Sequence, residues 1–372
     1  MKFTIMAGEL ADAVGWVCHA LPKRPVTPVL NGILLQTGEL SEGEGLQVSA
    51  FDYDTSRKAD VELEAPIEAG RALLPGRILA EVAKTLPKGE PVDVAVDDKQ
   101  AVIRCGRSEF TLPLMPVDDF PALPEPPATV GSLASKMLAD AIAQVAVAAG
   151  TDPTIPNLTG VRLEVGDGLI DLAATNRYRM TWRTMAWSPV LDAPAELKVL
   201  IPAQTLADIA RSLPQHAHVQ VGLSKQLAAF VSAGRCATVR LLDPEFCNFR
   251  SLMQAEASIV AEFDASALAA VVKRVAVLAE PSTPVRLSFT QHTMLVEAGN
   301  ADSGRGSETA DCTLDGADIQ IAFNPPFLLD ALNVFGGGAV QLRMADPVKP
   351  ALLGRDGDDD YRHLIMPIRL TP

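Results

Sequence analysis

The chain has 372 residues and a formal net charge of −14 at pH 7; 48% of its residues are hydrophobic and 21% are charged. This length suits two or three domains, and the composition excludes a largely disordered chain. The acidity argues against a protein that grips nucleic acid over its whole surface, because tight phosphate binding usually needs a basic face. Any contact with DNA must therefore come from a local patch or from topology.

The N-terminus, the apolar runs and the cysteines indicate the compartment. The segment MKFTIMAGEL lacks the features of a secretory signal, and no apolar run reaches the roughly 18 residues that a membrane helix needs. The five cysteines are scattered without a C-x-x-C pair, which favours reduced thiols over disulfides or a zinc site. We expect a soluble, cytoplasmic protein.

In chain order, the first predicted element is an amphipathic helix that occurs three times. Its apolar residues follow the i, i+4, i+7, i+11 spacing of one helix face. The three copies are Leu10, Val14, Val17 and Leu21; Leu138, Ile142, Val145 and Ala149; and Leu268, Val272, Val275 and Ala279.

The second repeated element is a strand that runs into a helix. Its copies read ALLPGRILAEVAKTL, VLIPAQTLADIARSL and IAFNPPFLLDALNVF. Pro75 and Pro202 precede the first two helices. Asn324 and Pro325 predict an N-cap followed by proline at the first helical position of the third.

An alternating strand and a closing strand complete each copy. The same order of elements, found three times, predicts three similar α+β domains with helices on one face of a mainly antiparallel sheet. We expect domains at residues 1-125, 126-255 and 256-372. A Pro-rich linker would run from Pro113 to Pro127, and a second junction from Leu252 to Ser258.

Similar domains in a row can form part of a closed ring. With helices packed about 8–10 Å apart, six helices on the inside of a ring would leave no room for a duplex. The twelve helices of two chains would leave a lumen of about 28 Å by the same geometry. Since a B-form duplex is roughly 20 Å across, a dimer of this chain could encircle DNA and a monomer could not.

Four segments resemble those of a known family. The strings GRALLPGRILAEVAKTLP, FDYDTSRKA, DDFPALP and the terminal MPIRL look like those of the bacterial DNA polymerase III β subunit, and the resemblance covers the whole chain. It implies a sliding clamp for DNA replication, a non-catalytic processivity factor without a cofactor. It also implies the DNA-clamp fold, in which a head-to-tail homodimer forms a six-domain ring with helices inside and sheets outside.

The resemblance implies several partners. They are encircled duplex DNA bound without sequence preference, a second copy of the chain, the polymerase III catalytic subunit, clamp-loader subunits, other DNA polymerases, ligase and mismatch-repair proteins; no membrane is implied.

The clients of such a clamp dock through short peptides in a hydrophobic cleft between the second and third domains. Carried over by motif, the cleft residues are Leu158, Thr175, Arg177, Tyr178, Arg179, Met180, Cys247, Leu252 and a C-terminal strand with Leu364, Met366, Pro367, Ile368 and Arg369. A second, shallower subsite beside Met366 would be flanked by Phe327, Val348 and Pro350.

The chain departs from the family pattern at three places. Asn176 and Arg177 stand where an acidic residue and often a glycine are common, and Cys247 follows Phe246 where Phe-Pro is common. Thr371-Pro372 extends past the usual terminal leucine. These departures leave open the exact peptide preference and a specialised second copy of the clamp.

Basic residues on the predicted helices are the candidates for facing DNA. Arg24 lies in a KRP turn that resembles a DNA-contacting position, and the others are Arg77, Lys84, Arg211, Lys273 and Arg274. The second helix of the third copy, FLLDALNVF, carries no basic residue, so we expect an uneven positive lining.

Two alternatives compete with the clamp. A peptide-binding hub or resistance paralogue would keep the cleft but no longer serve the replisome. A metal-dependent hydrolase could use the acidic run from Asp356 to Asp360, but its residues are adjacent and lack an EF-hand spacing, which favours a solvated hairpin tip. His216 and His218 have no evident third ligand, and the P-loop, G-x-G-x-x-G and G-x-S-x-G motifs are absent.

Overall fold

The computed structural model describes residues 1–40, 43–63, 67–166, 168–191, 196–254, 257–278, 283–300 and 304–370. Three features of the sequence analysis lie outside the described residues: the expected domain boundary between residues 255 and 256, Ala279, and Thr371-Pro372. No helix in these ranges is long and apolar enough to cross a membrane.

The predicted pair of helices is found in every copy of the repeat. The helices of the described ranges are α1 (Ala7–Cys18), α2 (Gly76–Thr85), α3 (Ser135–Ala146), α4 (Ala203–Ser212), α5 (Phe249–Leu252), α6 (Ala265–Val275) and α7 (Pro325–Val334). The start of α7 is confirmed, because the Asn324 side chain accepts a hydrogen bond from the Phe327 backbone N–H at 3.2 Å. The single turn α5 was not predicted.

In the first two copies, the first predicted helix was one turn too long. Leu21 and Ala149 lie beyond the ends of α1 and α3. In the first copy Pro22 disfavours the helical conformation at Leu21, and the chain leaves the helix through an i→i+3 bond from Ala20 N–H to the Val17 carbonyl. Leu21 nevertheless stays buried, so the apolar pattern had marked burial correctly and the helix end wrongly.

The helices and the main strands follow one another in the same order in all three copies. The first copy contains β1 (Lys2–Met6), β2 (Gly32–Leu40), β3 (Gly43–Phe51), β4 (Thr55–Glu62), β5 (Gly70–Pro75), β6 (Pro91–Val96), β7 (Gln100–Cys105) and β8 (Ser108–Pro113). The second contains β9 (Thr129–Ala134), β10 (Gly160–Val165), β11 (Leu169–Thr175), β12 (Arg179–Ala186), β13 (Ser188–Pro189), β14 (Leu197–Pro202), β15 (His218–Leu223), β16 (Leu227–Ser232) and β17 (Arg235–Arg240). The third contains β18 (Ile259–Asp264), β19 (Val285–Phe289), β20 (Thr293–Asn300), β21 (Gly304–Asp311), β22 (Thr313–Asp315), β23 (Ile319–Phe323), β24 (Ala339–Met344), β25 (Ala351–Gly354) and β26 (Tyr361–Ile365).

Contacts divide the chain into two compact units rather than three. The first unit comprises residues 1–138, 188–194 and 208–241, and the second comprises 139–187, 195–207 and 242–372. The division runs through the second copy of the repeat because that copy shares one sheet with each neighbour.

The first unit holds a four-stranded sheet, β1-β6-β7-β8, and a nine-stranded sheet, β13-β9-β15-β16-β17-β4-β3-β2-β5. The larger sheet joins the second copy to the first where β17 pairs antiparallel with β4, and Ala237 lies opposite Arg57. The Pro-rich segment after β8 is packed rather than free, because Phe120 is buried against Leu34, Phe51 and Leu73.

The second unit repeats this plan. Its nine-stranded sheet, β14-β10-β11-β12-β26-β25-β24-β18-β22, joins the second copy to the third where β12 pairs antiparallel with β26. There, Thr181 lies opposite His363. Its four-stranded sheet is β21-β20-β19-β23. Helices α6 and α7 bury an aliphatic face, with Leu268, Val272 and Leu328 at most 1% exposed, against these strands.

The acidic run forms the tip of the hairpin between β25 and β26, as predicted. Asp358 pairs with Arg183 at 3.6 Å, and Asp359 pairs with Arg362 at 2.9 Å. Within the described residues, no group of three or more His, Cys, Asp or Glu side chains could hold a metal ion.

Candidate functional site

A cavity of about 640 Å³ opens on the second unit, beside the pairing of β12 with β26. Three segments form its walls: the turn between β11 and β12, the end of β26, and the stretch that contains α5. Its lining residues are Asn157, Leu158, Thr175, Arg177, Arg179, Met180, Glu245, Phe246, Cys247, Leu252, Pro350, Leu364 and Met366.

The first wall is a turn that is fixed by its own side chains. The Thr175 hydroxyl donates to the Arg179 carbonyl at 2.8 Å. The Asn176 side-chain oxygen accepts from the backbone N–H groups of Tyr178 and Arg179, both at 3.1 Å. Asn176 therefore supplies the acceptor that an acidic residue would supply at this position, since an Asx turn needs only a side-chain oxygen.

The second wall corrects the predicted C-terminal strand. β26 ends at Ile365, and residues 366–370 have no strand conformation. Pro367 has no N–H to donate, so the strand ladder cannot continue through it. Met366 N–H still donates to the Tyr178 carbonyl at 2.8 Å, which holds Met366 in the cavity wall. Pro367, Ile368 and Arg369 do not line the cavity.

The third wall is a short segment on which sequence reasoning found only Cys247 and Leu252. It also brings Glu245 and Phe246 to the cavity. Two arginines anchor it to the sheet: Arg162 donates to the Pro244 carbonyl at 2.8 Å, and Arg250 donates to Glu164 at 2.7 Å. Sequence had marked Phe246 as the neighbour of Cys247 without assigning it to the cleft. Asn157 was missed, with no signal beyond its position beside Leu158.

The predicted shallower subsite is only partly assembled at the cavity. Pro350 lines it, whereas Tyr178, Phe327 and Val348 do not. Tyr178 is 63% exposed, and its ring stacks on Phe327 with centroids 6.4 Å apart. The Arg179 guanidinium lies over the same Phe327 ring at 4.5 Å, so these residues form an aromatic cluster next to the cavity wall.

The chemistry of the cavity is that of a binding site. Its lining is mainly apolar, with Arg177, Arg179 and Glu245 as the charged groups. Cys247 reaches the surface, but the desolvation of its thiol by the surrounding residues raises the pKa of that thiol, so it stays protonated and poorly nucleophilic near neutral pH. Methionine at Met180 and Met366 suits a surface that accepts more than one ligand, because its side chain adapts its shape.

The basic candidates are all exposed. Arg24, Arg77, Lys84 and Arg211 belong to the first unit, and Lys273 and Arg274 to the second. Arg77 donates to the Pro22 carbonyl at 3.0 Å, which ties it to the turn that carries Arg24.

Two of the six basic residues have acidic neighbours. Arg211 lies 3.4 Å from Asp208, and Arg274 donates to Glu308 at 2.9 Å. These two arginines therefore present a weaker positive potential than the others, because their charge is partly neutralised.

Comparisons with known proteins agree along the whole chain. Models of the DNA polymerase III beta subunit match residues 1–124 with its N-terminal domain, 132–248 with its central domain and 250–369 with its C-terminal domain. A beta sliding clamp of Streptomyces coelicolor is 41% identical, and a homolog of the beta sliding clamp, GriR, of Streptomyces muensis is 35% identical. The alignments cover 100% and 99% of both chains respectively.

Solved structures give the same result. A DnaN sliding clamp from Pseudomonas aeruginosa, solved bound to griselimycin, superimposes with a TM-score of 0.92 at 26% identity, with 100% of each chain covered.

Proposed function

The chain belongs to the bacterial DNA polymerase III beta subunit family, the non-catalytic sliding clamps that give the polymerase its processivity, and from this premise we propose that it works as a closed head-to-tail dimer around duplex DNA. The proposal includes docking of client proteins in the cavity of about 640 Å³. The implied partners lie in the cytoplasm, which is the location we infer.

The observation that carries the ring is the repeated way in which strands join neighbouring copies. β17 pairs with β4, and β26 pairs with β12. β8 occupies the same place in its sheet as β17 and β26, and β21 the same place as β4 and β12. Among the described residues both β8 and β21 end their sheets. An unpaired strand edge favours pairing with another chain, so β8 of one copy would pair with β21 of a second.

The internal repeat also predicts the register of that pairing. Arg57, Thr181 and Gly306 lie opposite the equivalent alanines Ala50, Ala174 and Ala298. Phe110 lies opposite Ile103, as Ala237 lies opposite Phe230 and His363 opposite Leu353. Since Ala237 faces Arg57 and His363 faces Thr181, we expect Phe110 to face Gly306 of the second copy.

The DNA contact of the proposed ring would be loose. Arg24, Arg77, Lys84, Arg211, Lys273 and Arg274 would approach phosphates. The net charge of −14 opposes strong adhesion to nucleic acid, so retention would come from enclosure.

Client docking is supported by the apolar cavity, whose apolar residues include Leu158, Met180, Leu252, Leu364 and Met366. These side chains can receive the apolar anchors of a short peptide, the mode of recognition expected for a tether that serves several proteins. The polymerase catalytic subunit, the clamp-loader subunits, other polymerases, ligase and mismatch-repair proteins are the proposed clients.

A topological assay tests the ring. The protein is loaded onto nicked circular DNA by a clamp loader, and the circle is then cut once. We expect retention on the circle and release after linearisation, because an enclosing ring slides off an end. Retention on linear DNA would show that affinity rather than topology holds it.

A further inference from the structure

We propose that Arg177 makes the cleft selective for peptides that present a carboxylate beside their apolar anchors. The inference rests on the proposed docking function and adds the chemistry of the docked peptide.

The backbone conformation at Arg177 does not require an arginine side chain. Arg177 has φ 77°, a left-handed conformation that glycine adopts freely and other residues adopt at a cost. Asn176 holds the turn through the N–H groups of Tyr178 and Arg179, so the turn itself does not depend on the Arg177 side chain. Glycine would therefore satisfy the turn with less strain.

The charge of Arg177 is available to a ligand. Its side chain is exposed and lines the cavity, and within the described residues it makes neither an ion pair nor a hydrogen bond. The other arginine of the cavity, Arg179, is already paired with Asp330 at 2.6 Å. A ligand carboxylate could accept two parallel N–H bonds from the free guanidinium of Arg177.

Glu245, the one acidic residue among the described lining residues, indicates where the carboxylate of the peptide lies. Glu245 belongs to the wall that contains α5, whereas Arg177 belongs to the turn between β11 and β12. Glu245 makes no ion pair within the described part of the chain and would repel a carboxylate on its own side. The peptide is thus oriented with its acidic group toward the turn.

The carboxylate could come from an Asp or Glu side chain or from the C-terminus of the peptide. A panel of synthetic nonapeptides separates these sources. Each peptide carries two leucines and one phenylalanine as anchors, one Asp is moved through the other positions, and each Asp peptide has an Asn twin. Every peptide is made with a free and with an amidated C-terminus, and affinities are measured by fluorescence anisotropy.

We expect at least one Asp position, or the free C-terminus, to bind roughly three- to fivefold tighter than its neutral twin. In Arg177→Gly this preference disappears, whereas Arg177→Lys retains part of it. The thermal midpoint of Arg177→Gly does not fall, since glycine adopts φ 77° without strain. A general loss of folding therefore cannot explain the loss of selectivity.

The outcomes separate this inference from the function on which it rests. If no peptide of the panel binds the wild-type protein, the docking function fails. If peptides bind but the acidic and neutral members of every pair have equal affinity, the docking function is supported and the proposal that Arg177 selects for a carboxylate is wrong. An acidic preference that survives in Arg177→Gly would assign the selectivity to another residue and overturn the proposal.

Discussion

Arg179 in the cavity wall donates a hydrogen bond of 2.6 Å to Asp330 on helix α7, while its guanidinium covers the ring of Phe327 at 4.5 Å. Arg179 is buried and Asp330 is 46% exposed on its side chain. The pair thus joins the wall of the cleft to a helix of the third copy. The Arg179 Nε has no partner among the described atoms, so most of the compensation for the buried charge of Arg179 comes from Asp330.

We expect Asp330→Asn to lower the free energy of unfolding by about 1 kcal/mol, because solvent screens the half-exposed carboxylate. A double-mutant cycle with Arg179→Met, followed by urea denaturation, measures the coupling between the two side chains. Asn333→Ala, one turn further along α7, serves as the control. A coupling energy of zero would mean that the ion pair does not stabilise the wall.

Arg250 is expected to hold the third wall of the cleft in place. It bonds to Glu164 at 2.7 Å and to Asp171, and it lies over the ring of the buried Phe249 at 4.6 Å. The four residues of α5 form a single turn, which is too short to be stable without such anchors.

Arg250→Ala should therefore weaken peptide binding by about tenfold. It should also speed the alkylation of Cys247, which is measured by mass spectrometry. Arg250→Lys should keep part of the affinity, and Arg240→Ala, an exposed arginine on β17, should change neither readout. Unaltered alkylation of Cys247 in Arg250→Ala would contradict the role of Arg250 as a positioning residue.

His363 should make the fold sensitive to acid. It is fully buried, the Tyr361 hydroxyl lies 3.1 Å from its Nδ1, and its Nε2 has no partner among the described residues. Burial, reinforced by the nearby positive charge of Arg179, lowers the pKa of His363 to about 3. Because the unfolded chain takes up this proton near pH 6.5 and the folded chain does not until about pH 3, stability falls as pH falls through this window.

Between pH 6.5 and pH 5 the free energy of unfolding should fall by about 2 kcal/mol through this residue. Urea unfolding of the wild-type protein and of His363→Asn at both pH values measures the loss of stability in each. Subtracting the loss of the variant from that of the wild type removes the contribution of other titrating groups. Parallel losses in the two proteins would show that His363 is not the acid-sensitive group.

The strand edge at β8 should control assembly. Phe110→Asp places a charge where we expect Gly306 of a second copy, and it should weaken the dimer at least tenfold. Sedimentation velocity over a micromolar concentration series measures this. Thr4→Lys on β1, at the opposite end of the same sheet, is the control. A Phe110→Asp protein that remains dimeric would rule out the β8–β21 pairing, and Gly306→Val tests the other side of the contact.

The internal repeat made much of the fold predictable from sequence. The recurring apolar stripes predicted six helices in α+β copies, and the pair Asn324 and Pro325 predicted the start of α7, because capping and periodicity are local properties. Two domain boundaries, after residues 125 and 255, were also predicted from sequence and remain a prediction. The resemblance of four segments indicated the family, and full-length relatives confirm it.

Tertiary structure decided what depends on neighbours distant in the chain. The nine-stranded sheets cross between copies, so the contacts give two units where the repeat has three copies. The cavity combines Asn157 and Glu245 with residues from β26, and no periodicity in a single segment could reveal that meeting. Likewise, only the fold set the φ of Arg177 at 77° and left its charge without a partner among the described residues, because backbone strain and ion pairing depend on the complete surroundings of a residue.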